Sequence, residues 1–130
     1  MTGTVRHDAL RSAPVTLLVE VAAWGGWTVL RVHGEVDMAT GPQLRKAVVD
    51  QIGGGRNHLI VDLADVSFID STGLGVLIGG LKRARSQGGD LKVAGIDDRL
   101  ERIFELTGLG DVLAVIDLDA PQHAEVSGLP

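Results

Sequence analysis

The sequence predicts an α/β fold: a single domain in which helices pack on a mixed, mostly parallel β-sheet. Short runs rich in Val, Leu and Ile alternate along the chain with longer segments whose apolar residues recur at helical spacing. The resulting order is β-β-α-β-α-β-α-β, and strands that alternate with helices form parallel pairs joined by right-handed crossovers. The 130 residues, 45% of them hydrophobic, suffice for one core.

The first two strands are expected to form a hairpin, which is what makes the sheet mixed. Residues 15–21 are rich in β-branched residues and leucine, and residues 27–33 alternate in the manner of a strand. Gly25 and Gly26 offer a turn between them. We expect Gly34 to end the second strand.

The helices are predicted from their start and stop signals. Thr40 and Gln43 have the spacing of a capping box at the first helix, and the glycines at 53–55 stop it. A second helix begins near Ser71, and a third has Asp98 as a cap with Glu101 three residues later. Three more strands complete the prediction, at residues 58–63, 91–95 and 112–117.

Composition excludes several classes of function. The net charge is -5 and the pI about 5.2, so no basic stripe is available to track a nucleic-acid backbone. With no cysteine there is no disulfide, thiolate zinc site or cysteine nucleophile. No apolar run approaches the ~20 residues of a membrane helix, and the first residues lack a signal peptide. We expect a soluble, cytoplasmic domain at 15–118 between tails at 1–14 and 119–130.

Ser71 is the residue where chemistry is expected. Sites in α/β sheets lie beyond the carboxyl ends of strands, and residues 64–70 are predicted to connect a strand to the helix of Ser71. The first helical turn has unpaired N–H groups and a partial positive charge, so it tolerates a phosphate. From spacing alone, however, an N-cap role for Ser71 or Asp70 is the commoner reading.

The same helix is rich in glycine, which helix propensity alone does not favour. Gly73, Gly75, Gly79 and Gly80 fall within about two and a half turns. Gly75 and Gly79 lie on one face. Either a neighbouring part of the domain or a partner protein therefore comes close to that face, and the sequence leaves both open.

A family resemblance is carried by residues 61–76, VDLADVSFIDSTGLGV. This run resembles the signature of the STAS domain (sulfate transporter and anti-sigma antagonist), as it occurs in bacterial anti-sigma factor antagonists. Residues 34–37, together with Thr40, are similar to the acidic turn before the first helix of that family. Residues 88–93 and 99–109 resemble its later strand and helix, and the match spans the whole expected domain.

The resemblance implies a phosphorylation switch. In this family the serine directly after the aspartate, here Ser71, is the phosphoacceptor. The unphosphorylated protein binds an anti-sigma factor that is also a serine kinase and so frees a sigma factor, until phosphorylation ends the binding and a PP2C-type phosphatase restores the serine. The chain has no ATP-binding motif, so the kinase is expected to be a separate protein. The resemblance implies an interaction module that has no cofactor and is not an enzyme. The partner is expected to contact residues around Ser71, namely Glu35, Asp37, Asp70, Thr72, Gly73, Leu74 and Gly75.

Three alternatives remain beside this reading. The chain could be a constitutive STAS scaffold or an accessory subunit of a transporter or stress-signalling assembly, with Ser71 silent. An enzyme with Ser71 as nucleophile is disfavoured because no nucleophile-elbow pattern surrounds that serine. His33, Glu35 and Asp37 would share a face only if the second strand continued past Gly34, so we expect a solvated edge there and no metal site.

Overall fold

The structure of the protein, a computed structural model, describes residues 17–119. Within them the predicted order of elements is confirmed. The tails expected at 1–14 and 119–130 lie outside this part of the chain, apart from Asp119. The strands are β1 (Leu18–Trp24), β2 (Trp27–Val36), β3 (His58–Ile69), β4 (Asp90–Ala94) and β5 (Val115–Ile116); the helices are α1 (Gly41–Gly53), α2 (Ser71–Ser86) and α3 (Asp98–Thr107), with a 3-10 turn at Leu109–Asp111.

The five strands form one mixed sheet in the order β1-β2-β3-β4-β5. β1 and β2 are the antiparallel hairpin predicted from Gly25-Gly26, and Trp24 pairs with Trp27 across the turn. Gly25 has a φ of 62°, a conformation that glycine adopts without a steric penalty. The remaining neighbours are parallel, which confirms the mixed, mostly parallel sheet.

The main core lies between the helices and one face of the sheet. It joins Leu44 and Val48 of α1, Leu77 and Leu81 of α2, and Phe104 of α3 to buried strand residues. The opposite face carries a smaller buried cluster, made of Trp27, Val29, Ile60 and Ala94. No helix among residues 17–119 is long and apolar enough to cross a membrane.

Two strands are longer than predicted. β2 continues through Gly34, which was expected to end it, and reaches Val36. β3 continues to Ile69, through the residues predicted to form a connection. The two strands pair along their length with register shifts between Arg31 and His33 and between Gly34 and Glu35. Gly34 adopts a φ of 122°, so glycine serves here as an irregularity within the strand and not as its end.

The other strand limits also differ from the prediction. β1 extends to Trp24, while the first residues assigned to it, 15 and 16, lie outside the described chain. At the other edge, β5 is only Val115–Ile116 instead of residues 112–117. Val112 caps the 3-10 turn at Leu109–Asp111, and Leu113 packs into the core. The strand therefore begins only at Val115.

Both predicted capping boxes are wrong in detail. The Thr40 hydroxyl donates to the Glu35 carbonyl (2.6 Å) and accepts from the Asp37 amide (3.0 Å), so it stabilises the preceding turn and does not cap α1. Gln43 does not reach back to the cap, because its Oε1 accepts from the Leu17 amide at 2.8 Å. In α3 the N-cap is Asp97, one residue before the predicted Asp98.

Candidate functional site

The site is built where β2 and β3 end side by side. Val36 pairs with Ile69, and the Asp70 amide donates to the Val36 carbonyl at 3.1 Å. The turn after β2 and the start of α2 are therefore neighbours at one edge of the sheet. This is the carboxyl edge of two parallel strands, the place where the sequence predicted the site.

Asp70 is the residue that caps α2. Its backbone is extended, its carboxylate accepts from the Gly73 amide at 3.2 Å, and its carbonyl accepts from the Leu74 amide at 3.0 Å. Of the two residues that could have been the N-cap, the structure thus assigns Asp70. Ser71 is the first helical residue, and the cap does not use its hydroxyl.

Ser71 is exposed to solvent at the amino end of a helix of 16 residues. The unpaired N–H groups and the partial positive charge of the first turn lie beside it. That turn contains no acidic residue, and Arg83 and Arg85 occupy the last turn. Ser71 therefore lies on the surface of the domain, at a helix end whose electrostatics favour an anion.

The acidic turn after β2 is held by its own side chains. The Asp37 carboxylate accepts from the amides of Ala39 (2.9 Å) and Thr40 (3.0 Å). Thr40 is buried, and its hydroxyl holds the turn by donating to the Glu35 carbonyl. Asp37 consequently shapes the loop, whereas Glu35 is exposed near the end of β2.

The four glycines of α2 divide into two kinds. A Cβ on Gly73 would lie 2.6 Å from Ile69 Cγ1, and one on Gly80 would lie 3.0 Å from Leu91 Cδ1. At Gly75 and Gly79 a Cβ would meet nothing within 4 Å. Tight packing inside the domain thus explains Gly73 and Gly80, and it does not explain Gly75 or Gly79.

The sequence profile of the STAS domain family matches residues 19–125. The chain belongs to the STAS domain family. Within it, the chain is 41% identical over 97 residues to the anti-sigma-B factor antagonist of Bacillus subtilis (strain 168), which covers 75% of this chain and 85% of that protein. Identity at this level over most of both sequences places this STAS domain among the anti-sigma factor antagonists.

Solved structures share the fold of this STAS domain, and one of them is itself an anti-sigma factor antagonist. The anti-sigma factor antagonist from Mycobacterium paratuberculosis has a TM-score of 0.72 at 28% identity, covering 89% of this chain and 97% of that one. The Bacillus cell-fate determinant SpoIIAA in its phosphorylated form has a TM-score of 0.63 at 22% identity, covering 88% and 99%. The second likeness shows the fold alone.

Two exposed apolar residues at the same edge of the STAS domain were not foreseen. Met38, in the turn after β2, is 78% exposed, and Phe68, near the end of β3, is 40% exposed. The Arg99 guanidinium lies 6.0 Å from the Phe68 ring. A single apolar residue in a polar turn gives no signal in the sequence. The position of Phe68 was not predicted, because residues 64–70 were expected to form a connection and not a strand.

The three residues weighed as a metal site do not come together, although β2 does pass Gly34. His33 turns to other carboxylates: its Nε2 is 2.5 Å from Glu20 Oε1 and its Nδ1 is 3.1 Å from Asp65 Oδ2. It thereby links β1, β2 and β3. Between residues 17 and 119 no group of three or more His, Cys, Asp or Glu side chains could hold a metal ion.

Proposed function

We propose that phosphorylation of Ser71 controls the binding of this anti-sigma factor antagonist to its partner. The unphosphorylated form binds an anti-sigma factor that is also a serine kinase, and a sigma factor is released. A PP2C-type phosphatase restores the hydroxyl. The observation that supports the proposal is the exposed residue Ser71 at the start of α2, directly after an aspartate that supplies the cap in its place.

The chain contributes a substrate and not a catalytic group to this reaction. The Ser71 oxygen attacks the γ-phosphorus of ATP held by the kinase, the bond from that phosphorus to ADP breaks, and the hydroxyl proton passes to a base of the kinase. In the opposing reaction, the phosphatase hydrolyses the phosphoserine: water attacks the phosphorus, the Ser71 hydroxyl is restored and free phosphate leaves. Both reactions take place in the cytoplasm, where the sigma factor acts.

The proposed contact surface surrounds Ser71. Glu35 and Gly75 are exposed, whereas Asp37, Asp70, Thr72 and Leu74 are half-buried and present only part of their side chains. Gly73 is buried, so it contributes to the surface by letting α2 sit close to β2 and β3. We add Met38 and Phe68 to this surface because their exposed apolar side chains lie at the same edge.

Charge explains why phosphorylation would end the binding. A phosphoserine carries about −1.5 to −2 charges, next to the carboxylates of Asp70 and of the turn at Asp37. A neutral hydroxyl in the interface becomes an anion that must lose its water shell. A loss of a few kcal/mol is expected, which corresponds to about a hundredfold or more in affinity.

The test is intact-mass measurement after incubation with ATP and the anti-sigma factor kinase captured from the native cytosol. The wild-type chain should gain one phosphate, and Ser71→Ala should gain none. Ser67→Ala and Ser86→Ala, which remove two other exposed serines, should still be modified. A Ser71→Ala chain that is modified to completion would contradict the proposal. Capture of transporter subunits in place of a kinase, with Ser71 unmodified, would favour the constitutive scaffold.

A further inference from the structure

A groove runs beside Ser71 between α1 and α2. Its volume is about 330 Å³, and it is open to solvent. The two helices run side by side in the same direction: a Cβ on Gly41 would lie 3.1 Å from Thr72 Cγ2, and one on Gly80 would lie 3.1 Å from Val48 Cγ1. The groove begins at Thr72, directly after Ser71, and ends at Arg83.

The shape of the groove depends on two glycines that the domain itself does not require. Gly75 and Gly79 line it, and a Cβ at either position would meet no atom of the described residues within 4 Å. Glycine weakens a helix relative to alanine. Val76, which lies between them in sequence, is half-buried and also lines the groove. The groove is therefore lined by the apolar side chain of Val76 and by the exposed backbone of the two glycines.

The charge of the groove is positive in a protein whose net charge is -5. Arg45 of α1 and Arg83 of α2 both line it. Their neighbours Lys46 and Arg85 form ion pairs with carboxylates of the chain. In the part of the chain that the structure describes, no ion pair or hydrogen bond engages the guanidinium groups of Arg45 and Arg83. Two such cations at one groove select an acidic occupant.

We propose that this groove is a second docking site, which binds an acidic segment of the anti-sigma factor kinase. An apolar side chain of that segment lies over Gly75 and Gly79, and its carboxylates pair with Arg45 and Arg83. The proposal rests on the proposed function. The groove is continuous with the phosphorylation site through Thr72, and this favours the kinase over a second copy of this chain as the occupant. A helix rises about 1.5 Å per residue, so one partner needs to span only about 16 Å from Thr72 to Arg83.

The charge of the groove is tested by reversal. The probe is the purified kinase that phosphorylates the wild-type chain, and affinity is measured by calorimetry at low and at physiological salt. The double variant Arg45→Glu/Arg83→Glu is expected to bind about thirtyfold more weakly or worse. Its matched control is Lys46→Glu/Lys82→Glu, which makes the same change of net charge on the same two helices outside the groove. The control should lose less than about threefold.

The shape of the groove is tested by filling it. Gly79→Leu adds a side chain whose Cβ would meet no atom within 4 Å, and leucine favours the helix more than glycine does. The melting temperature should therefore rise, while affinity for the kinase falls about tenfold because the occupant is displaced. Lys82→Leu, at an exposed position of α2 outside the groove, should leave the affinity within about twofold of wild type.

The outcomes separate this proposal from the one on which it rests. If both groove variants bind the kinase like wild type while Ser71 is still phosphorylated, the groove proposal is wrong and the proposed function stands. If the wild-type chain neither binds a kinase nor becomes phosphorylated, both proposals are wrong. Should the wild-type chain self-associate and the groove variants be monomeric by ultracentrifugation, the occupant is a second copy and the proposal is overturned.

Discussion

Gly73 and Gly75 stand two positions apart in α2 and differ in what surrounds them. Gly73 is wedged against Ile69 and Val36, where an added Cβ would lie 2.6 and 2.7 Å from side-chain carbons. Gly73→Ala is therefore expected to lower the free energy of unfolding by about 1–3 kcal/mol through overpacking. Gly75→Ala should raise it by up to about 1 kcal/mol, because alanine favours the helix and nothing obstructs its methyl group. Urea denaturation measures both, and changes of the same sign would contradict this account.

At the scale of elements, the start of α2 was predicted correctly from local signals, whereas the caps of α1 and α3 and the long-range strand partners were not. The start of α2 at Ser71 follows from neighbours in sequence, namely the capping aspartate and the apolar spacing after it. The length of β3 does not, because Asp65 interrupts the apolar pattern beyond residue 63, where the prediction ended the strand. Its partner lies far away in sequence: Asp65 is paired with His33 of β2, whose ring its carboxylate also contacts. Only the paired sheet shows that Asp65 belongs to a strand.

The same distinction holds for the candidate site. Helical spacing places Gly75 and Gly79 on one face of α2, but it does not say what covers that face. The answer depends on where α1 packs, which is fixed by the contacts of Gly41 and Gly80 with residues of the other helix. The exposed serine was therefore predictable, and the groove beside it was not.

The start of α3 gives a test at the scale of one element. The Asp97 carboxylate accepts from the Leu100 amide at 2.8 Å, and Asp98 is the first helical residue. Asp97→Ala should cost about 1 kcal/mol of stability through loss of the cap. Asp98→Ala removes only a favourable charge from the first turn and should cost about 0.3–0.5 kcal/mol. Chemical denaturation of the two variants compares them, and a larger loss at Asp98 would show that the helix begins one residue later.

On the scale of the whole molecule, the proposed switch and the core are separate. Leu77 and Leu81 bury the inner face of α2 against the sheet, while Ser71, Gly75 and Gly79 lie on its exposed side. A phosphate on Ser71 therefore has no packed side chains to displace. It follows that phosphorylation would act directly on the interface, with the fold itself unchanged.

This separation is tested by comparing stability with binding in one pair of variants. Ser71→Asp adds a charge where the helix end favours it by about 0.3–1 kcal/mol and where Asp70 opposes it by a similar amount. Thermal unfolding should therefore change little, while affinity for the kinase falls about tenfold, less than with the larger charge of a phosphate. Ser86→Asp puts the same charge at the other end of α2, where it is unfavourable, so that variant should be slightly less stable and should bind normally. If Ser71→Asp instead loses stability in proportion to binding, the charge acts by loosening α2, and the interface explanation is wrong.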